Sequence, residues 1–192
     1  MSNYIKFSIL ATWLFLLLYW VFSASKIKRE IAGEPYFAKF LQYWLPLIVA
    51  LYLLLPEEWY GSSMLNAAFM PHNNLIGVMG LVLSICGMFL ACLARNTLGK
   101  NWSLSIQQKE NHELIESGPY KIIRHPIYTG LLLMFAGSGI AVGEYRAILA
   151  ILIFFVSFWY KLMKEEKLLL RVFGEEYLAY RLRTKALIPF IL

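Results

Sequence analysis

Leu75-Ile76-Gly77-Val78-Met79-Gly80-Leu81-Val82-Leu83-Ser84-Ile85-Cys86-Gly87-Met88-Phe89-Leu90-Ala91-Cys92-Leu93-Ala94 runs without a single charged side chain. About 20 such residues, coiled as a helix, cross the hydrocarbon core of a bilayer. Similar stretches occupy Tyr4–Phe22, Phe40–Leu55, Ile127–Val142 and Ala147–Tyr160. Lipid offers the backbone no hydrogen-bond partners, so each stretch must bond within itself as a helix. The chain is 59% hydrophobic and only 16% charged, whereas a soluble domain carries about 25% charged residues. The expected fold is therefore all-α: an integral membrane protein of about five transmembrane helices. No glycine fingerprint of a Rossmann fold follows a strand.

Pro46 interrupts the second span, and a membrane helix tolerates it as a kink. The fourth and fifth spans are joined by Gly143-Glu144-Tyr145-Arg146 and should form an antiparallel hairpin. Lys6 and Ser23-Ala24-Ser25 give the first span some likeness to a signal peptide. Its length and the following Lys26, Lys28 and Arg29 favour a retained helix. Five crossings put Lys26–Lys39, Arg95–Arg124 and the tail from Lys161 on one side, which then holds 16 of the 18 Lys and Arg residues. The positive-inside rule makes that side cytoplasmic, in a bacterial inner membrane or an endoplasmic reticulum, with the N-terminus outside. The net charge of +6 is thus directed at membrane lipids, and no nucleic acid partner is expected. Cys86 and Cys92 share one span without metal-ligand spacing; no metal site is expected.

Residues 1–95 read as three N-terminal transmembrane helices, and residues 96–192 as the region that carries chemistry. In Gly118-Pro119-Tyr120-Lys121-Ile122-Ile123-Arg124-His125-Pro126-Ile127-Tyr128 two prolines restrict the backbone and set Arg124 and His125 at the mouth of the fourth helix. That helix start offers amides and a positive dipole end to an anion; a capped terminus with a snorkelling arginine is the alternative. Glu165 and Glu166 follow the fifth span and read either as a solvated charge run or as a binding pair. Lys161 lies four residues before Glu165, on the same helix face. Leu168, Leu169, Val172, Phe173 and Tyr177 suggest an amphipathic C-terminal helix punctuated by Gly174 and Pro189.

From Leu98 to Pro189 the chain resembles the isoprenylcysteine carboxyl methyltransferase family and its membrane relatives, including phospholipid N-methyltransferases. The resemblance rests on Leu98-Gly99-Lys100-Asn101-Trp102, on the Gly118…Arg124-His125-Pro126…Tyr128 stretch, and on Glu165-Glu166…Phe173-Gly174-Glu175-Glu176-Tyr177…Tyr180…Ile188-Pro189. It implies methyl transfer from S-adenosylmethionine in a pocket at the cytoplasmic face. The implied cofactor contacts are Gln107, His112, Glu113, Leu114, Ile115, Tyr120, His125, Pro126, Ile127, Tyr128, Glu165 and Glu166. The implied catalytic set is Arg124, Lys161 and Glu165. The family has arginine where Lys161 stands, and lysine keeps the charge but loses the bidentate fork. The implied acceptor is an isoprenylcysteine-like lipophilic or prenylated carboxylate arriving from the bilayer. A phospholipid N- or small-thiol S-methyltransferase and a non-enzymatic scaffold are the alternatives.

Overall fold

The computed structural model describes residues 1–23, 30–33, 35–55, 63–101, 107–109 and 113–189, with the backbone alone at 30–33 and 107–109. Five apolar helices form: α1 (Asn3–Ser23), α2 (Tyr36–Leu53), α3 (Asn74–Leu98), α4 (Pro126–Val142) and α5 (Tyr145–Phe173). Four are long enough to cross a membrane, and α4 is a shorter apolar helix of 17 residues. α6 (Glu175–Arg183) follows. The expected all-α membrane fold is what forms, with one small addition. The strands β1 (Glu30–Gly33) and β2 (Gln107–Lys109) pair antiparallel, which joins the first and third connections on one side of the bundle.

α1 packs on α3, α3 on α4, α4 on α5 and α5 on α2. Leu16, Ala50, Ala91, Met134, Phe135 and Phe154 are buried between them. Phe135, Phe154 and Phe158 stack at centroid distances of 4.3 and 4.2 Å. Large apolar side chains such as Val82, Phe89, Leu152 and Val156 face outward, as a lipid-solvated surface requires.

Each departure from regular helix has a local cause. Pro46 has no amide to give Gln42, and the turn before it, Phe40–Trp44, widens into a π-helix. The Gln42 carbonyl instead accepts the Ser157 hydroxyl of α5 at 2.7 Å, the side-chain repair expected in a membrane. α5 runs past Tyr160, the end of its uncharged stretch, because Leu168, Leu169 and Val172 continue the helix. It stops at Gly174, which sits at φ +52°, where glycine pays no steric penalty.

α3 and α4 meet through glycine. A Cβ added at Gly87 would lie 2.4 Å from the Gly130 carbonyl oxygen, so the two backbones touch, the usual way membrane helices gain packing. Gly87→Ala is expected to destabilise the bundle by about 1–3 kcal/mol through overpacking. Gly77→Ala, where the new Cβ would meet the movable Met1 side chain, should be close to neutral. Thermal unfolding in detergent compares the two.

The end of the bundle that holds the 143–146 loop carries more than that short loop suggests. Arg146 and Glu144 are each 3% exposed, and the Arg146 Nε donates to the Glu144 Oε2 at 2.6 Å. The Arg146 Nη1 donates to the Leu53 carbonyl at 2.8 Å and to the Leu55 carbonyl. The helical hairpin is thereby fastened to the end of α2.

Candidate active site

At the opposite end of the bundle, the side that carries the β1–β2 pair, lies a cavity of about 420 Å³. Its deep part is apolar, lined by Trp13, Leu16 and Leu17 of α1, Leu47 and Leu51 of α2, and Leu131 of α4. Its other end is polar, with Asn101, Glu113, Tyr120, Arg124, His125, Lys161 and Glu165. An apolar arm continuous with a polar chamber suits a ligand pair of mixed character.

The polar end is built where α4 begins and α5 leaves its uncharged stretch. The C-terminal segment pins it. The amide of Arg124 donates to the Lys185 carbonyl at 2.8 Å and that of His125 to the Ala186 carbonyl at 3.0 Å. The Thr129 hydroxyl donates to the Leu187 carbonyl at 2.7 Å. At the mouth of α4 the amides of Arg124 and His125 are therefore already used, and Pro126 has none.

Arg124 and His125 converge on Glu166. The Arg124 Nε donates to the Glu166 Oε1 at 2.7 Å, and the His125 Nε2 lies 3.3 Å from the same oxygen. The Arg124 Nη1 donates to the carbonyls of Thr184 at 2.5 Å and Arg181 at 3.4 Å. Glu165 turns the other way. Its Oε2 accepts the Tyr128 hydroxyl at 2.6 Å and lies 3.8 Å from the His125 Nδ1. The His125 and Tyr128 rings stack at 5.4 Å.

Lys161 is 7% exposed, and its ammonium sits over three rings: Tyr43 at 5.3 Å, and Tyr128 and Phe158 at 5.4 Å. Such faces stabilise a cation held out of water. Tyr120 packs below, its carbonyl accepting the Tyr180 hydroxyl at 2.7 Å. Burial, with the Glu165 charge second, pushes the Tyr120 phenol well above its ordinary range. Burial raises Tyr177 and Tyr180 as well, so all three remain neutral hydroxyls.

Of the residues singled out from sequence, Glu113, Leu114, Ile115, Tyr120, Arg124, His125, Ile127, Tyr128, Lys161 and Glu165 meet around this cavity. Pro126 is fully buried at the helix start and Glu166 faces Arg124 and His125; neither forms part of the wall. His112 and the Gln107 side chain lie outside the described residues. The wall also holds Tyr43, Asn101, Phe158, Tyr177 and Tyr180, which are not among the contacts that the resemblance implies. Tyr177 and Tyr180 had a usable signal: they lie three apart beyond Gly174, on one face of a new helix.

The family model for phospholipid methyltransferases matches residues 75–176. Protein-S-isoprenylcysteine O-methyltransferase B of Arabidopsis thaliana is 30% identical over 119 residues, 60% of this chain and 60% of that protein. The Saccharomyces cerevisiae protein-S-isoprenylcysteine O-methyltransferase is 29% identical over 122 residues, 62% of this chain and 51% of that one. The chain thus spans about half to three-fifths of these two relatives. A solved structure of the eukaryotic intramembrane Ras methyltransferase, isoprenylcysteine carboxyl methyltransferase, superposes with a TM-score of 0.61 at 25% identity, covering 78% of this chain and 53% of that one. With more than half of its length matched by that family model, the chain belongs to the phospholipid methyltransferase family and has isoprenylcysteine carboxyl methyltransferases among its relatives.

Proposed function

We propose that the chain is an S-adenosylmethionine-dependent methyltransferase that esterifies the carboxylate of an isoprenylcysteine-like acceptor at the cytoplasmic membrane face. The observation that carries this reading is one continuous cavity in which an apolar arm meets a buried cation and a carboxylate. Under it the N-terminus lies outside and the C-terminus in the cytoplasm, in line with the basic residues gathered on one side.

The polar chamber has the chemistry the donor requires. Glu113 and Glu165 suit its ammonium and ribose hydroxyls, and the rings of Tyr120 and Tyr128 suit adenine and sulfonium. The Asn101 Oδ1 and the Tyr177 hydroxyl, both of residues in the cavity wall, are buried without a hydrogen-bond partner among the described residues. Buried polar atoms left so are costly in a closed core and natural at a binding site. When bound, S-adenosylmethionine supplies a methyl group already activated by its sulfonium centre.

The protein's own part is then orientation and exclusion of water. A carboxylate acceptor is ionised near neutral pH and asks no base of the protein. Lys161 holds that carboxylate and its ring cage keeps water from the nucleophilic oxygen, which raises the fraction of aligned encounters. Arg124, bonded to Glu166 and two carbonyls, frames the site. The apolar arm between α1 and α2 takes the start of the lipid chain, whose remainder stays in the bilayer.

Calorimetry with S-adenosylhomocysteine in lipid nanodiscs tests the donor, and labelled methyl transfer to farnesylcysteine tests the acceptor. Saturable one-to-one binding and a base-labile methyl ester are expected. Binding with the label on an aminolipid or thiol would move the acceptor to the other members of the class. No binding would leave a membrane scaffold.

A further inference from the structure

Glu165 and Glu166 are neighbours on α5, so their side chains point about 100° apart around the helix. Glu165 forms part of the cavity wall and Glu166 does not. Glu166 nevertheless has three basic side chains around it: Arg124 at 2.7 Å, His125 at 3.3 Å and Arg181 at 3.5 Å. Two of these three side chains, Arg124 and His125, belong to the cavity wall. The third, Arg181, belongs to α6, the helix that supplies Tyr177 and Tyr180 to that wall.

We propose that Glu166 is a positioning residue: it stays clear of the methyl donor and instead fixes the His125 ring, through Nε2, so that Nδ1 faces Glu165 and the cavity. The assignment rests on the proposed donor site. The carboxylate is the one acceptor shared by Arg124 Nε and His125 Nε2. It therefore dictates that the His125 proton at this edge lies on Nε2, as second-shell carboxylates do for functional histidines. By holding Arg181 as well, it ties the tilt of α6 to the same hub. Glu165 is left to Tyr128, the Nδ1 edge of His125 and the cavity.

A positioning residue acts through its partner, which a double-mutant cycle detects. Donor affinity is measured with S-adenosylhomocysteine in nanodiscs for the wild type, Glu166→Gln, His125→Ala and the double variant. Glu166→Gln alone is expected to weaken binding about tenfold, and to add less than twofold on the His125→Ala background. Losses that multiply, or no loss at all, overturn the proposal. Nitrogen-15 spectra of histidine-labelled protein give a readout that needs no ligand, with His125 assigned by its absence in His125→Ala. A proton on the His125 Nε2 is expected, with its signal displaced in Glu166→Gln. A bare Nε2 in the wild type, or a signal indifferent to Glu166, overturns the proposal. Wild-type protein that binds no donor would refute the donor site, while these spectra would still decide the role of Glu166.

Discussion

Glu165→Gln is expected to weaken binding of the methyl donor by roughly 10- to 100-fold while the helical bundle stays folded. The size follows from the loss of hydrogen bonds to a charged acceptor, about 1.5–3 kcal/mol, where each 1.4 kcal/mol is tenfold. The fold survives because glutamine keeps an oxygen that can accept the Tyr128 hydroxyl, now held at 2.6 Å. Glu165 also sits where α5 has left its uncharged stretch, with its side chain 35% exposed, so the substitution strands no buried partner. Glu165→Ala removes that acceptor too and should lose more than 100-fold. Tyr128→Phe, which deletes only the neutral donor, should cost about 3- to 10-fold, the range of an ordinary hydrogen bond. Calorimetry in nanodiscs ranks the three. Equal affinities for wild type and Glu165→Gln would remove Glu165 from the donor site.

How far the sequence carried is clearest at the two glutamates. Their type and place after a membrane span marked both as candidates, yet adjacent residues on a helix face different directions. Which of them turns to the cavity depends on the rotation of α5 about its axis. That rotation is set by packing against α2 and α4, which no local pattern records. The spans themselves were legible because length and lack of charge are local properties. The interruption at Pro46 was legible because proline is a local signal too, although the bond from Ser157 to the Gln42 carbonyl was not.

Pairing over long separations stayed hidden. Arg124 and His125 give their amides to Lys185 and Ala186, sixty-odd residues on. The two amides just ahead of α4 are occupied for that reason. Gly143-Glu144-Tyr145-Arg146 read as a hairpin connection, and the partner of Arg146 on α2 comes from a different crossing. Tyr43, a wall residue from α2, lay in a stretch that reads as generic apolar span. Aromatic rings in a membrane helix are ordinary, and only the arrival of the Lys161 ammonium distinguishes this one.

Lys161→Met should lower kcat/KM for a carboxylate acceptor by about 10²- to 10³-fold and leave donor affinity within about threefold. The side chain is buried against Tyr43, Tyr128 and Phe158, so an acceptor anion meeting it is shielded from water. Removing one member of such a desolvated pair costs about 2–5 kcal/mol. Methionine fills a similar volume and is at ease among aromatic rings, so the loss reports the charge and not a cavity. Lys161→Arg keeps that charge and adds a second donor; it should retain activity within about tenfold. A fall in donor affinity equal to the fall in kcat/KM would assign Lys161 to the donor. The same variant separates acceptor classes. A buried ammonium repels an amine headgroup, so an enzyme built for aminolipids should gain from Lys161→Met, whereas one built for a carboxylate should lose. The sign of the change on each acceptor therefore decides between the two chemistries that this family scaffold supports.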